Sequence, residues 1–178
     1  MDIVDATEAD LEQITSIYND AVQNTTAIWN DALVDVVNRR AWLKQRLLDG
    51  CPVLVAGSDA RDVLGYASFA TFRAFDGYRF TVENSLYVRA DMRRLGVGRA
   101  LLLELLERAR RLQKHCMVAG IESGNASSIR LHESLGFRQV GLLPEVGCKF
   151  GRWLDLALFG LNLDGRQQPA PAIAGEGA

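Results

Sequence analysis

The chain has 178 residues, 48% of them hydrophobic and 24% charged, with a formal net charge of −2, which suits one domain with a substantial core. That balance lacks the basic excess of a nucleic-acid binder, no apolar run reaches bilayer-spanning length, and the acidic opening "MDIVDATEAD" does not read as a signal peptide. Three widely spaced cysteines (Cys51, Cys116, Cys148) and two histidines (His115, His132) offer no cluster with metal-ligand spacing. The expectation is a metal-free, cytoplasmic, single-domain protein with free thiols, two of the cysteines sitting in apolar runs.

A short strand, "DIVDA", comes first. Thr7 and Asp10 are spaced as a capping box, and Leu11, Ile14, Ile17, Tyr18 and Val22 then recur at helical spacing. "NTTAIWND" reads as a loop. A second helix is expected over roughly Asp35 to Leu48, with Val36, Val37, Ala41, Trp42, Leu43 and Leu47 as its apolar residues and Gly50 as its left-handed stop. "PVLVA" and "DVLGYASFATF" read as the two strands of a hairpin joined by "GSDAR". The loop "RAFDGY" leads to a strand, "FTVENSLYV", then to a glycine turn and a helix from about Gly98 to Lys114. "CMVAGI" is a buried strand, "NASSIRLHESL" a helix ended by Gly136, and "FRQVGLL" and "GRWLDLALFGLNL" are the last strands. The order β-α-α-β-β-β-α-β-α-β-β predicts a mixed sheet with helices on its faces. Residues 165–178, rich in Ala, Gly and Pro, have little to bury and are expected to be a disordered tail.

The glycine turn "RRLGVGRALL" resembles a dinucleotide fingerprint, but Leu101 stands where the third glycine belongs and would obstruct close helix–strand packing. "RADMRRL" also separates the preceding strand from Gly96, although Glu122 lies near where a ribose-binding acid would fall. A Walker loop fails more plainly, because no G-K-[ST] follows. What remains is either a turn shaped by Gly96 and Gly98 with solvated arginines around it, or an anion site. Free backbone N–H groups from Arg94 to Arg99 at the start of a four-turn helix, with Arg89, Arg93, Arg94 and Arg99 close by, favour the anion.

Arg93-Arg94-Leu95-Gly96-Val97-Gly98 resembles the [RQ]-x-x-G-x-[GA] signature of the GCN5-related N-acetyltransferases. Its context agrees: the strand "NSLYV" before it, a helix after it, and then "VAGIESGNASSIRLHESLGFRQVG", similar to the family's later motif. "FRAFDGYRFTVENSLYV", "VGCKFGRWLDL" and "IYNDAVQNTTAIW" most resemble the phosphinothricin and methionine sulfoximine/sulfone acetyltransferases. The resemblance implies an α+β fold in α/β/α layers, with a mixed, mostly antiparallel sheet of about seven strands and about four helices, in one domain over residues 1–164. It implies acetyl-CoA as co-substrate, a small amino-acid analogue as acceptor, and a homodimer.

Glu83 is the candidate base. A carboxylate has no packing value in an apolar strand, and partial burial would raise its pKa toward useful values; the alternative is an edge glutamate facing water. The resemblance agrees, since "TVE" falls in the segment with the subfamily's proposed base. It also implies that the backbone of Leu86, Tyr87 and Val88 pairs with the pantetheine arm and polarises the thioester carbonyl. A family bulge there could slip the alternation of Thr81, Glu83, Ser85 and Tyr87. His132 stands where many relatives have a tyrosine, which makes it the candidate acid toward sulfur or, alternatively, a helix-surface histidine. Asn125, seven residues earlier on the same helix face, is expected to bind the pantetheine region, together with Ser128. The diphosphate cradle would span Arg93, Arg94, Leu95, Gly96, Val97, Gly98 and Arg99. For the acceptor, Arg73, Ala74 and Phe75 precede the motif, an arginine being the natural partner of a carboxylate. Asn84 and Ser85 adjoin the base, and Trp29, Tyr78, Lys149 and Phe150 are further candidates. His115 is expected to serve a helix C-terminus. The competing readings are a protein or peptide N-terminal acetyltransferase and a non-catalytic acetyl-CoA-binding module.

Overall fold

In the structure, a computed structural model describing residues 1–57 and 62–169, the periodicities of the chain resolve into two cores, one on each face of a single sheet. The strands are β1 (Asp2–Asp5), β2 (Val53–Gly57), β3 (Val63–Thr71), β4 (Thr81–Val88), β5 (Cys116–Glu122), β6 (Arg138–Lys149) and β7 (Arg152–Asn162). The helices are α1 (Leu11–Asn24), α2 (Val36–Leu48), α3 (Val97–Arg111) and α4 (Ala126–Ser134). Strand order is β1-β2-β3-β4-β5-β7-β6, antiparallel throughout except for the parallel pair β4–β5. This is the mixed sheet that the element order predicts, and the mostly antiparallel α+β sheet with four helices that the family resemblance implies.

Strand alternation divides the apolar side chains between the faces. Leu54, Ala56, Ala67, Phe69 and Met117 pack under α3 and α4, while Val53, Val55 and Tyr66 pack against α1 and α2. On α3, Leu101, Leu102, Leu105, Leu106 and Ala109 form a stripe that is essentially inaccessible to water. Each of those leucines stabilises the fold by about 1.5–3 kcal/mol through burial, an upper bound because the unfolded chain is already partly compact.

Several expectations need correction. On α2 only Leu43 is buried; Val36 and Trp42 are half-buried, and Val37, Ala41 and Leu47 face solvent, so the helix lies on the sheet along a narrow line. Asp35 caps it by accepting from Asn38 N–H at 2.8 Å, and Gly50 takes the expected positive φ, 67°. Of the three free cysteines, Cys51 is buried, Cys116 half-buried and Cys148 exposed. His115 does not serve a helix end: its Nδ1 lies 2.7 Å from Asp164 Oδ1, and this contact holds the Asp164 carboxyl below its ordinary range. β6 runs to Lys149, well past "FRQVGLL", through two register shifts. The turn between β2 and β3, residues 58–61, lies outside the described residues, as do 170–178 of the tail. Arg166 in the tail's described part donates to Asp164 Oδ2 at 2.7 Å and to Gln113 O at 2.8 Å.

Candidate active site

The site begins with an interruption of the sheet. β4 pairs with β3 along its whole length, Val82↔Thr71 through Val88↔Gly65, with no register shift. The expected bulge is absent from this pairing, and the alternation of Glu83, Ser85 and Tyr87 does not slip. β5 pairs with β4 only from Thr81 to Glu83. Beyond Glu83 the two strands splay, so the β5-facing side of Asn84–Val88 has no strand partner.

A cleft of about 860 Å³ occupies this splay. Asn84, Ser85, Leu86, Tyr87 and Val88 form one wall and Gly120, Ile121 and Glu122 the other. Arg93, Arg94, Gly96, Gly98 and Arg99 stand at one end, with Asn125, Ser128 and His132 of the α4 segment and the 24–27 loop completing it. The arginine end has the geometry of an anion cradle. Arg94 and Gly96 both adopt positive φ, 64° and 84°, so the chain turns sharply into α3. The first helical bond there is Ala100 N–H to Gly96 O, leaving Val97, Gly98 and Arg99 N–H without a helical acceptor at the positive end of the helix dipole. Gly98 is required for a different reason than Gly96: a Cβ there would stand 3.3 Å from Leu131 and 3.5 Å from Leu86 and Val88.

Two cradle residues contribute only backbone. The Val97 side chain is 3% exposed and belongs to the core, while that of Leu95 points to solvent, and neither lines the cleft. Arg89 is engaged elsewhere, bound to Asp62 at 2.6 Å and Asp91 at 2.8 Å. Arg93 is held loosely, 3.5 Å from Asp20. Tyr87 turns its ring away into the α1/α2 core beside Tyr18 and Tyr66, where burial pushes its phenol up to about 12.

Glu83 stands at the last position of β4 that pairs with β5, opposite Val118. Its Oε1 lies 3.0 Å from where a Cβ on Gly120 would be, so the glycine makes room for the carboxylate. An isolated glycine inside an apolar strand signals such a close approach, and sequence reasoning did not use it. Burial raises the Glu83 pKa, and the Arg73 guanidinium acts against that rise. Arg73, Ala74 and Phe75 are exposed outside the cleft lining, with Arg73 over the Phe72 ring at 5.0 Å.

His132 is 3% exposed and is not a surface histidine. Its Nδ1 lies 2.8 Å from the Ser128 carbonyl, which can only accept, so Nδ1 carries the proton. Nε2 is then the acceptor for Asn84 Nδ2 at 3.2 Å. Burial pulls the imidazole pKa below its ordinary value, the Ser128 bond partly offsetting this. Asn125 precedes α4 instead of sharing its face: its Oδ1 caps the helix by accepting from Ser128 N–H at 3.1 Å. Only its amide nitrogen is left for a ligand.

The remaining candidates divide. Phe150 lines the cleft. Trp29 donates to Thr26 O at 2.8 Å and packs on Gly147, Tyr78 packs edge-on against Phe72 at 5.8 Å, and Lys149 is buried away from the cleft lining. Glu122, weighed as a ribose acid, instead accepts from Gly124 N–H at 2.8 Å and Thr26 Oγ1 at 3.0 Å. Among the described residues no group of three or more His, Cys, Asp or Glu could hold a metal ion, and no helix is long and apolar enough to cross a membrane.

Comparison with known proteins agrees with this geometry. The Acetyltransferase (GNAT) family profile matches residues 14–137. An L-methionine sulfoximine/L-methionine sulfone acetyltransferase of Pseudomonas aeruginosa is 58% identical over 162 residues, covering 91% of this chain and 94% of that one. The solved structure of yncA from Salmonella typhimurium with its cofactor acetyl-CoA superposes with a TM-score of 0.93 at 53% identity, covering 97% and 99% of the two chains. That of a phosphinothricin acetyltransferase from Sinorhizobium meliloti in complex with acetyl-CoA gives 0.92 at 36% identity, covering 97% and 94%. The chain therefore belongs to the acetyltransferase (GNAT) family.

Proposed function

We propose that the protein moves the acetyl group of acetyl-CoA to the α-amine of a small amino-acid analogue such as methionine sulfone, methionine sulfoximine or phosphinothricin. The observation that carries this reading is the splay of β4 from β5, which opens an unpaired strand edge between an anion cradle and a half-buried carboxylate. The fit to the co-substrate is specific: three N–H groups without helical acceptors and Arg93, Arg94 and Arg99 suit a diphosphate, and the free edge of Asn84–Val88 suits the amide-bearing pantetheine arm. When bound, acetyl-CoA supplies an activated acetyl thioester.

The residues of the chain then divide the work. The acceptor arrives as an ammonium, and Glu83, directly or through a water, takes the proton it must shed before nitrogen can attack. The raised Glu83 pKa makes it a better base than an ordinary glutamate. A backbone N–H of the Leu86–Val88 edge polarises the thioester carbonyl. His132 is the acid toward sulfur. In the geometry described its Nε2 is an acceptor, so it would serve sulfur as an acid only after taking there the second proton that the attacking amine sheds, with the Asn84 amide turned aside. The neighbouring Asn84 N–H is the other donor within reach of the same place. Arg73 is the carboxylate partner of the acceptor, and Asn84 and Ser85 border it.

In this reading residues 1–164 are one catalytic domain working in the cytoplasm. Exposed Val140, Val146 and Trp153 on the β6–β7 hairpin support the homodimer that the resemblance implies. The test is an amine screen with acetyl-CoA, following thiol release. Turnover of methionine sulfone, methionine sulfoximine or phosphinothricin is the expected result; turnover of peptide N-termini alone would replace it with the protein-substrate reading.

A further inference from the structure

Lys149 ends β6 with its side chain almost wholly removed from water, 3% exposed, an arrangement that is costly unless every ammonium proton finds a partner. It donates to the carbonyls of Val22 and Ile28, and its nitrogen lies 4.9 Å from the centroid of the Phe150 ring. Three donors thus have two carbonyls and an aromatic face. Val22 is in the last two turns of α1, where carbonyls run out of helical donors and a cation is favoured. Ile28 is in the connection that follows. One cation therefore cinches the chain at two points, closing residues 23–27 into a loop.

That loop is also fastened elsewhere. Thr26 Oγ1 donates to Glu122 at 3.0 Å, two residues beyond the glycine on which the Glu83 carboxylate rests. The Trp29 ring packs on Gly147, so close that a Cβ there would come within 2.1 Å of it. The hairpin that supplies Lys149 turns through Phe150 and Gly151 at φ 51° and 70°. A phenylalanine in the left-handed region is strained, yet here it places its ring both on Lys149 and in the cleft wall. The 24–27 loop forms the wall on the α1 side of the cleft.

We propose that Lys149 is a positioning residue for acetyl transfer: by cinching the Val22 and Ile28 carbonyls it fixes the 23–28 loop as a rigid wall that presents the acceptor amine to Glu83. This rests on the acetyl-transfer reading above. Lys149 touches neither substrate; it acts through the loop, and because the diphosphate cradle is built by a different segment, Arg93 to Arg99, a loosened loop should tell on the acceptor more than on acetyl-CoA.

The test is Lys149→Met, which keeps the aliphatic stem and removes the donors, beside Thr26→Val, which cuts a single exchangeable fastener and spares the fold. For both, the acceptor KM is expected to rise, by about tenfold or more for Lys149→Met and less for Thr26→Val, while acetyl-CoA affinity by calorimetry stays within about twofold. Amide hydrogen exchange should accelerate in residues 23–29 and not in α3. An unchanged acceptor KM in both variants would overturn the proposal, as would an equal loss for both substrates. Should Lys149→Met fail to fold, Thr26→Val decides alone. Wild-type protein that acetylates no amine would sink the acetyl-transfer reading and the acceptor role with it. Exchange in the variants would still report whether the cation holds the loop.

Discussion

Asn84 and His132 meet across the gap between β4 and α4 at 3.2 Å, a contact that suits the proton placement dictated by the Ser128 carbonyl on the other side of the ring. Nδ1 faces the Ser128 carbonyl at 2.8 Å, so a proton on Nε2 as well would leave a buried imidazolium pointing at the Asn84 amide donor. The ring is neutral, with Nε2 accepting. Replacing Asn84 by Asp sets an anion against Nε2 and should raise the His132 pKa, which burial now holds below the ordinary value of 6.5. With only His115 and His132 in the sequence, imidazole NMR of the wild type, Asn84→Asp and a His115→Gln background can follow the ring directly. Wild-type His132 titrating at or above the ordinary value would contradict the assignment.

Glu83→Gln should keep acetyl-CoA binding and lose transfer by about 10²–10⁴-fold. The wild-type pH profile follows from the sign of its shift. Because burial raises the Glu83 pKa, the carboxylate is protonated, and activity falls, as pH drops through a value above the ordinary glutamate pKa of about 4.3. Arg73 opposes the rise, so Arg73→Met should move the acid limb of kcat/KM to still higher pH. A limb that stays in place would separate Arg73 from Glu83.

Gly98→Glu tests the cradle. The new Cβ would press on Leu131 at 3.3 Å, and the carboxylate would repel a diphosphate at the start of α3. Acetyl-CoA affinity measured by calorimetry should fall by at least about tenfold, or 1.4 kcal/mol. Unaltered affinity would remove the anion site.

Gly147→Ala tests the loop's aromatic fastener. Its methyl would fall within 2.1 Å of the Trp29 ring, so either the indole or the strand must shift to admit it. Urea denaturation should show a loss of about 1–3 kcal/mol, the range for overpacking. Full stability would mean that the indole swings aside freely.

Much of this was legible in the sequence because it was written in local pattern. The leucine stripe of α3 and the alternating strands are periodic, and the turn at Gly96 and Gly98 sits in a motif whose spacing is chemical. What escaped was decided by tertiary partners. Nothing local says that Lys149 turns inward while Cys148 before it is exposed; two register shifts along β6 set that. Asn125 has the same composition signal whether it binds a ligand or caps a helix, and here its carbonyl does the second. The apolar residues of α2 satisfied a helical period, yet only Leu43 is fully buried, with Val36 and Trp42 at the edge of the core.

The splay between β4 and β5 gives this sheet an open edge at its centre, where most sheets keep theirs at the rim. An unpaired edge ordinarily invites a strand from another molecule and is a route to aggregation. Here β5 on one side and α4 and the 24–27 loop around it leave a slot, so an incoming chain would have to shed its own side chains to lie along Asn84–Val88. The enclosure that would admit a slender pantetheine arm is thus also what keeps the protein from pairing with itself at that edge.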